Sequence, residues 1–171
     1  MSSSTYEGWS KTQTITWEEY FDVRFKETIN MTKMFMNEIG KEKVYKLTSQ
    51  KAYEEGKEFG KVIVEGKKTV TSVEDLSLVF RELFSTPYFK ASTDVEILDD
   101  SAESFNYNVS KCIWAHTFRK YDASELGYHM ICFGDNGIAK GLSPNVKLVR
   151  TKTLMQGDNC CDFKWCWEEK E

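Results

Sequence analysis

The side chains best suited to nucleophilic or metal chemistry are concentrated in the last third of this sequence. All five cysteines and both histidines lie there, and the first 111 residues contain neither type. They are Cys112, His116, His129, Cys132, Cys160, Cys161 and Cys166. A thiolate is a nucleophile whose ionisation is tuned by a neighbouring imidazole or carboxylate, and the same groups bind soft divalent metals. We therefore look for the functional site in this region.

Helical spacing predicts which of these side chains face the same way. Cys112 and His116 are four residues apart, and His129, Cys132 and Asp135 follow at three-residue steps. Residues three or four apart are neighbours on a helix surface. The spacing thus predicts a thiol–imidazole pair and a thiol–carboxylate pair, with simple core packing as the alternative for any single cysteine.

Alternation predicts that the two adjacent cysteines near the end of the chain are not equivalent. One side of a strand there would carry Cys161, Phe163, Trp165 and Trp167. Because this side is mostly aromatic, we expect it to be buried, with Cys161 pointing inward. Cys160 and Cys166 would then point toward solvent or a partner.

The N-terminal elements are predicted to be a pair of helices. Thr16 and Glu19 have the spacing of a capping box, and an apolar pattern continues to about Ile39, where Gly40 ends the helix. A charged helix would follow from Lys41 to about Phe59. Residues 60–70 fit either a helix end or a short strand.

The middle of the chain is predicted to be a helix followed by a β-hairpin. Residues 71–74 form a second capping-box pattern, and Pro87 is expected to end the helix that follows. Residues 94–109 alternate around a polar turn at 99–101, which is typical of a hairpin.

The last third is predicted to contain further helices and a second hairpin. A helix is expected over 111–121, and Asp122 or Ser124 would cap another from Glu125, ended or interrupted at Asn136 and Gly137. Strands at 146–155 and 161–167 would flank a turn at 156–159. The order of elements predicts an α+β fold in which N-terminal helices pack with an antiparallel sheet that ends in a C-terminal β-hairpin. Residues 1–13 are expected to be a flexible N-terminus and 14–171 a single domain.

Composition argues against a nucleic-acid-binding protein, a membrane protein and a disulfide-stabilised protein. The formal net charge is −4, with basic residues scattered among acidic ones, so we expect no nucleic-acid partner. No apolar run approaches the roughly 18 residues of a membrane span, and no export signal is evident, so a cytoplasmic protein without membrane contact is expected. An odd number of cysteines excludes a complete disulfide framework within one chain.

Residues 112–165 resemble the family of L-2-amino-thiazoline-4-carboxylic acid hydrolases. The resemblance rests on an ordered series of motifs: Cys112, then Glu125-Leu126-Gly127, Cys132-x-x-Asp135, Arg150-Thr151-x-Thr153-Leu154 and Gly157-Asp158-x-x-Cys161-Asp162-Phe163. It implies an enzyme that opens a sulfur-containing five-membered ring. The ending also resembles, more weakly, 4-vinyl-reductase-type domains, small ligand-binding α+β modules in which distant cysteines can hold zinc.

On this resemblance the first hypothesis is a hydrolase acting on a small cyclic amidine or amide. Cys132 or Cys112 would supply a thiolate or hold a metal that activates water, and Asp135 would orient or deprotonate. Substrate would be bound by Arg150, through a bidentate pair with a carboxylate, together with His116 and His129.

The second hypothesis is a non-enzymatic module that binds a small ligand or zinc. Its metal ligands would be Cys112, Cys132 and Cys161, so a divalent metal such as zinc is the cofactor to test for. The outward Cys160 and Cys166 are compatible with a homodimer. A third hypothesis assigns the cysteines to core packing alone.

Overall fold

The computed structural model describes residues 14–65 and 70–168. The predicted flexible segment 1–13 lies outside the described residues. Within them the helices are α1 (Trp17–Ile39), α2 (Lys41–Val64), α3 (Val73–Ser85), α4 (Pro87–Ser92), α5 (Ile113–Lys120), α6 (Ser124–Gly127) and α7 (Gly134–Leu142). A π-helical turn (Tyr128–Cys132) joins α6 to α7, and a 3₁₀ turn (Leu154–Gln156) precedes the last strand.

The predicted pair of N-terminal helices is confirmed. Thr16 caps α1 by a capping box, in which the Glu19 N–H donates to Thr16 Oγ1 at 3.1 Å and the Thr16 N–H donates to Glu19 Oε2 at 2.7 Å. The chain then reverses at Gly40, whose φ of 88° suits glycine. Helix α2 continues to Val64, past the predicted end at Phe59, so the first part of the undecided segment is helical.

The start of α3 differs from the prediction. Ser72, not Thr71, is the N-cap, and its hydroxyl accepts from the Asp75 N–H at 3.2 Å. The predicted end before Pro87 is confirmed: α3 stops at Ser85, and Thr86 is extended, as expected for a residue that precedes proline. Pro87 also begins α4, because proline lacks the N–H that the first turn of a helix leaves unpaired.

The strands form one four-stranded antiparallel sheet in the order β1-β2-β4-β3. They are β1 (Thr93–Asp100), β2 (Ser104–Cys112), β3 (Val146–Val149) and β4 (Cys161–Trp167). Both predicted hairpins and the α+β class are confirmed. Strand β3 is shorter than the predicted 146–155, because the chain beyond Val149 bonds to aspartate side chains instead of a neighbouring strand.

The helices after the first hairpin also depart from the prediction in detail. Cys112 ends β2 and precedes α5 instead of lying inside a helix. Neither Asp122 nor Ser124 caps α6, whose N-cap position is Ala123 without a side-chain hydrogen bond. Gly137 lies inside α7 and does not interrupt it, because the absence of a side chain lets α2 approach. A Cβ at this position would overlap the carbonyl oxygen of Tyr53 on α2.

Two apolar clusters meet near the end of β2. One packs α3 and α7 on the sheet around Phe80, Phe105 and Trp165. The other packs α1 and α5 around Ile29 and Phe118. Cys112 and Leu154 contact both clusters, so the point where the clusters join carries a thiol. No helix in the part of the chain that the structure describes is long and apolar enough to cross a membrane.

Candidate functional site

A buried ion pair joins the connection after β3 to the first turn of α7. Arg150 Nη1 contacts Asp135 Oδ2, and the Arg150 side chain is only 6% exposed. Its second terminal nitrogen, Nη2, donates to the Cys132 carbonyl oxygen at 2.9 Å. The guanidinium carbon lies 5.0 Å from the ring centre of Phe163. The guanidinium is therefore held on its edge and on its face by the protein itself.

The opposite charges of Arg150 and Asp135 stabilise each other in a poorly solvated environment. Burial raises the pKa of Asp135, and the neighbouring guanidinium acts in the opposite direction. Burial acts to lower the pKa of Arg150, but the Asp135 carboxylate, together with Cys132 and Cys161, outweighs burial and holds that pKa above its ordinary value. Arg150 thus remains positively charged and pairs with the Asp135 carboxylate. A charged group that is removed from water requires such a partner.

Three cysteines are near enough to this pair to be influenced by its charge or by each other. Cys132 and Cys161 are buried, and Cys112 is half-buried. Burial raises the pKa of Cys112 to about 11, raises that of Cys132 well above its usual value, and raises that of Cys161. The structure thus places the three cysteines and Asp135 in one neighbourhood, with every one of these thiols protonated at neutral pH.

An open groove of about 670 Å³ reaches this neighbourhood from the surface. It lies between the start of β1, the end of β2 and helix α5. Its chemically active lining residues are Glu18, Asp94, Lys111, Cys112, His116, Arg119 and Lys120. Among Cys112, Cys132 and Cys161, it is Cys112 that lines the groove. Cys161 is connected to it through Leu154, another lining residue, whose N–H donates to Cys161 Sγ at 3.2 Å.

Cys112 occupies the N-cap position of α5. The backbone N–H groups of Ala115 and Trp114, in the first turn of that helix, act to lower its pKa against the larger effect of burial. A helix N-terminus stabilises negative charge, so these N–H groups favour any anion that forms there. His116 lies one turn further along the same groove, and its Nε2 is 3.3 Å from Glu18 Oε1. Cys112 and His116 thus both line the groove, with Cys112 just before α5 and His116 within it.

His129 does not join Cys132 and Asp135. Its ring stacks on Tyr45 with centroids 4.4 Å apart, and its Nδ1 lies 2.8 Å from Ser49 Oγ, so the side chain packs on α2. Asp135 turns instead toward Arg150. The physical reason is the π-helical turn, whose i→i+5 hydrogen bonds change the angle between successive residues, so that a three-residue step no longer returns to the same face.

The aspartates of the C-terminal motifs shape the chain and do not face the groove. Asp162 accepts from the N–H groups of Thr151 and Lys152 at 2.8 and 2.5 Å. Asp158 accepts from the Thr153 N–H at 2.7 Å. These bonds fold the connection between β3 and β4, and the prediction that the sequence around Asp158 is ordinary turn chemistry is consistent with them.

Sequence reasoning did not identify the cationic side chains that line the groove. Lys111 pairs with Asp94 at 2.7 Å, and Lys120 pairs with Asp22. Arg119 forms no ion pair with residues 14–65 or 70–168. The sequence signal was the basic last turn of α5, which is indistinguishable from an ordinary solvated helix end.

The predicted zinc ligands gain no support from the geometry. Among residues 14–65 and 70–168, no group of three or more histidine, cysteine, aspartate or glutamate side chains could hold a metal ion. All five described cysteines are free thiols. Zinc binding by Cys112, Cys132 and Cys161 stays a prediction.

The fold and the site define an α+β domain with a half-buried thiol beside an open, cation-lined groove. The family model described as L-2-amino-thiazoline-4-carboxylic acid hydrolase matches residues 21–165, and the chain belongs to this family. The match begins in α1 and ends in β4, so it includes the N-terminal helices as well as the C-terminal motifs. No curated protein matches the chain.

Proposed function

We propose that this protein is a hydrolase that opens a small cyclic amidine or amide, such as 2-amino-thiazoline-4-carboxylate, in the groove lined by Cys112. The observation that carries the proposal is the thiol of Cys112 at the N-terminus of α5, in one groove with an imidazole and three cationic side chains. Membership of the hydrolase family supports the reaction type.

The chemistry adds one water molecule across a ring bond. Oxygen attaches to the carbon between nitrogen and sulfur, that carbon's bond to one ring heteroatom breaks, and the departing atom takes up a proton. The reaction requires a nucleophile, a proton donor and stabilisation of a tetrahedral intermediate. Cys112, His116 and the N–H groups at the start of α5 supply these three functions.

Cys112 rests in its neutral form and becomes the nucleophile as it loses its proton. With a pKa of about 11 it carries its proton at neutral pH, so the proton leaves as sulfur bonds to the ring carbon. His116, one helical turn away in the same groove, receives that proton and returns it to the departing heteroatom. Water then attacks the same carbon, His116 takes a proton from the water and passes it to the Cys112 sulfur as the carbon–sulfur bond breaks, and the neutral thiol is restored.

The substrate carboxylate is assigned to Arg119 in place of Arg150. Arg150 is committed to Asp135 and to the Cys132 carbonyl, whereas Arg119 lines the groove on an exposed helix face. A guanidinium binds a carboxylate through two parallel hydrogen bonds. In this proposal Cys132, Asp135 and Arg150 support the protein beside the groove, and Cys112 is the nucleophile.

The decisive experiment measures ring opening of 2-amino-thiazoline-4-carboxylate and related heterocycles. Cys112→Ser should lose about 10²-fold or more of kcat/KM, because it removes the nucleophile. Cys166→Ser, a half-buried cysteine on β4 away from the groove, is the matched control and should keep its activity. Full activity of Cys112→Ser would reject the thiol mechanism.

Two further measurements separate the alternatives. Arg119→Met should raise KM much more than it lowers kcat, and Arg119→Lys should recover part of the loss. Metal analysis after dialysis tests the ligand- or zinc-binding hypothesis: stoichiometric zinc, together with no ring opening of any substrate, would favour the binding module over the hydrolase.

A further inference from the structure

A second cleft lies on the side of the protein formed by α1, the start of α2 and the turn before α6. Its volume is about 350 Å³, at the lower end of the range of small-molecule pockets. We propose that it binds a small zwitterion of dipeptide size, which presents a carboxylate to one wall and an ammonium group to the other. This inference does not depend on the proposed hydrolase activity.

The two walls of the cleft carry opposite charges. Lys33 and Lys41 come from α1 and α2, whereas Asp122 and Glu125 come from the turn and from α6. Neither lysine forms an ion pair with either carboxylate. The cleft therefore holds both signs of charge without a direct ion pair between them, although Lys33 reaches across to the Tyr121 carbonyl. A ligand with both charges would pair with both signs.

Two of the four charged side chains, Lys33 and Glu125, are held by hydrogen bonds to the protein. Lys33 Nζ donates to the Tyr121 carbonyl oxygen at 2.6 Å, which uses one of its three N–H donors. Glu125 Oε2 accepts from the Tyr45 hydroxyl at 3.1 Å. Burial, reinforced by Glu125, raises the pKa of Tyr45 to about 12, so this hydroxyl remains a donor at physiological pH. These anchors fix the geometry of the walls before any ligand arrives.

The Asp122 carboxylate is placed at the edge of the cleft by the turn that ends α5. Asp122 has a φ of 48°, the one positive φ of a residue other than glycine in the part of the chain that the structure describes. Aspartate is one of the few residues other than glycine that adopt this left-handed conformation, here at the end of α5. It is held by hydrogen bonds from the Asp122 N–H to the Arg119 carbonyl at 3.1 Å and from the Ala123 N–H to the Phe118 carbonyl at 2.9 Å.

Charge balance selects the chemical class of the ligand. Two ammonium groups and two carboxylates sum to no net charge, so a free anion would approach the carboxylates unfavourably and a free cation would approach the lysines unfavourably. A zwitterion avoids both costs. The motif residue Glu125, which the proposed hydrolysis does not use, has a binding role in this inference.

Binding is tested with three probes of similar size. Glycylglycine carries both charges, N-acetylglycine only the carboxylate and glycinamide only the ammonium group. Amide chemical shifts of Ala123, Ser124 and Leu126 are followed in the ¹⁵N-labelled protein. Glycylglycine should give saturable shifts with an affinity at least tenfold higher than either single-charge probe. No saturable shift, or equal shifts with all three probes, would overturn the proposal.

Matched variants locate the binding. Lys41→Met and Glu125→Gln should each weaken glycylglycine binding at least fivefold, and glutamine keeps an oxygen that accepts from Tyr45. Lys43→Met, an exposed lysine of α2 outside the cleft, should bind like the wild type. Cys112→Ser should also bind like the wild type. Weakening by Cys112→Ser, or none by Lys41→Met and Glu125→Gln, would reject this cleft as the site.

Discussion

Arg150 and Asp135 are fifteen residues apart in the sequence and in direct contact in the fold, with the arginine side chain almost fully buried. The contact ties the start of α7 to the chain that leaves β3. It also fixes the Cys132 carbonyl, at the end of the π-helical turn, through the second nitrogen of the guanidinium. This one side chain therefore couples three segments behind the groove.

Removing Arg150 should be among the most damaging single changes. Arg150→Met leaves the half-buried Asp135 carboxylate without its partner, which we expect to lower the free energy of unfolding by about 3 kcal/mol. Urea denaturation at pH 7 measures this change in the free energy of unfolding. Lys164→Met, an exposed residue of β4, is the control and should change stability by about 0.5 kcal/mol or less. The double variant Arg150→Met with Asp135→Leu should recover part of the loss, and equal loss in Arg150→Met and Lys164→Met would contradict the assignment.

The contact between α2 and α7 should tolerate no side chain at Gly137. Replacing a glycine inside a helix by alanine ordinarily stabilises by up to about 1 kcal/mol. Here the Cβ would overlap the Tyr53 carbonyl oxygen and lie 2.9 Å from the Lys57 nitrogen, so Gly137→Ala should destabilise by about 1–3 kcal/mol or more. Thermal unfolding checks the sign, with Gln50→Ala on the exposed face of α2 as the control. A stabilised Gly137→Ala would show that the helices are further apart.

The raised pKa of Cys112 should be visible in its reaction with iodoacetamide. Because only the thiolate reacts, the rate at Cys112 should rise about tenfold per pH unit and continue to rise toward pH 11 in the folded protein. In urea the rate should level off above the ordinary value of 9.0. Peptide mass spectrometry assigns the modified residue. A plateau below pH 9 in the folded protein would mean that the first turn of α5 outweighs burial.

Asp162 should stabilise the fold in a pH-dependent manner. Although partial burial opposes it, hydrogen bonds from Thr151 and Lys152 hold its pKa below the ordinary value of 3.8. The carboxylate therefore contributes stability that is fully present well above pH 3.8 and is lost as the pH falls through the lower pKa of the folded state. The melting-temperature difference between the wild type and Asp162→Asn should shrink between pH 5 and 2. A constant difference across this range would exclude the carboxylate as its cause.

Sequence reasoning succeeded where the physical cause is local. The capping box of Thr16, the two hairpins and the inward direction of Cys161 follow from hydrogen bonds or alternation within a few residues, and the structure confirms each of them. It was wrong where a distant packing partner or an irregular helix decides. Gly137 lies inside α7, where its missing side chain makes room for the backbone of α2, and His129 lies in a π-helical turn, to which the spacing rule of a regular α-helix does not apply.

The sequence by itself determined the family, the α+β class and the segment in which the reactive side chains lie. Only the tertiary structure decided that Cys112 alone of the three described inner thiols lines the groove and that Arg150 is committed to Asp135. It also decided that Arg119 lines the groove without an ion pair to the described residues. Residue type and spacing set what a side chain is able to do. Its burial and its partners depend on which remote elements pack against it, and that information does not reside in any short stretch of sequence.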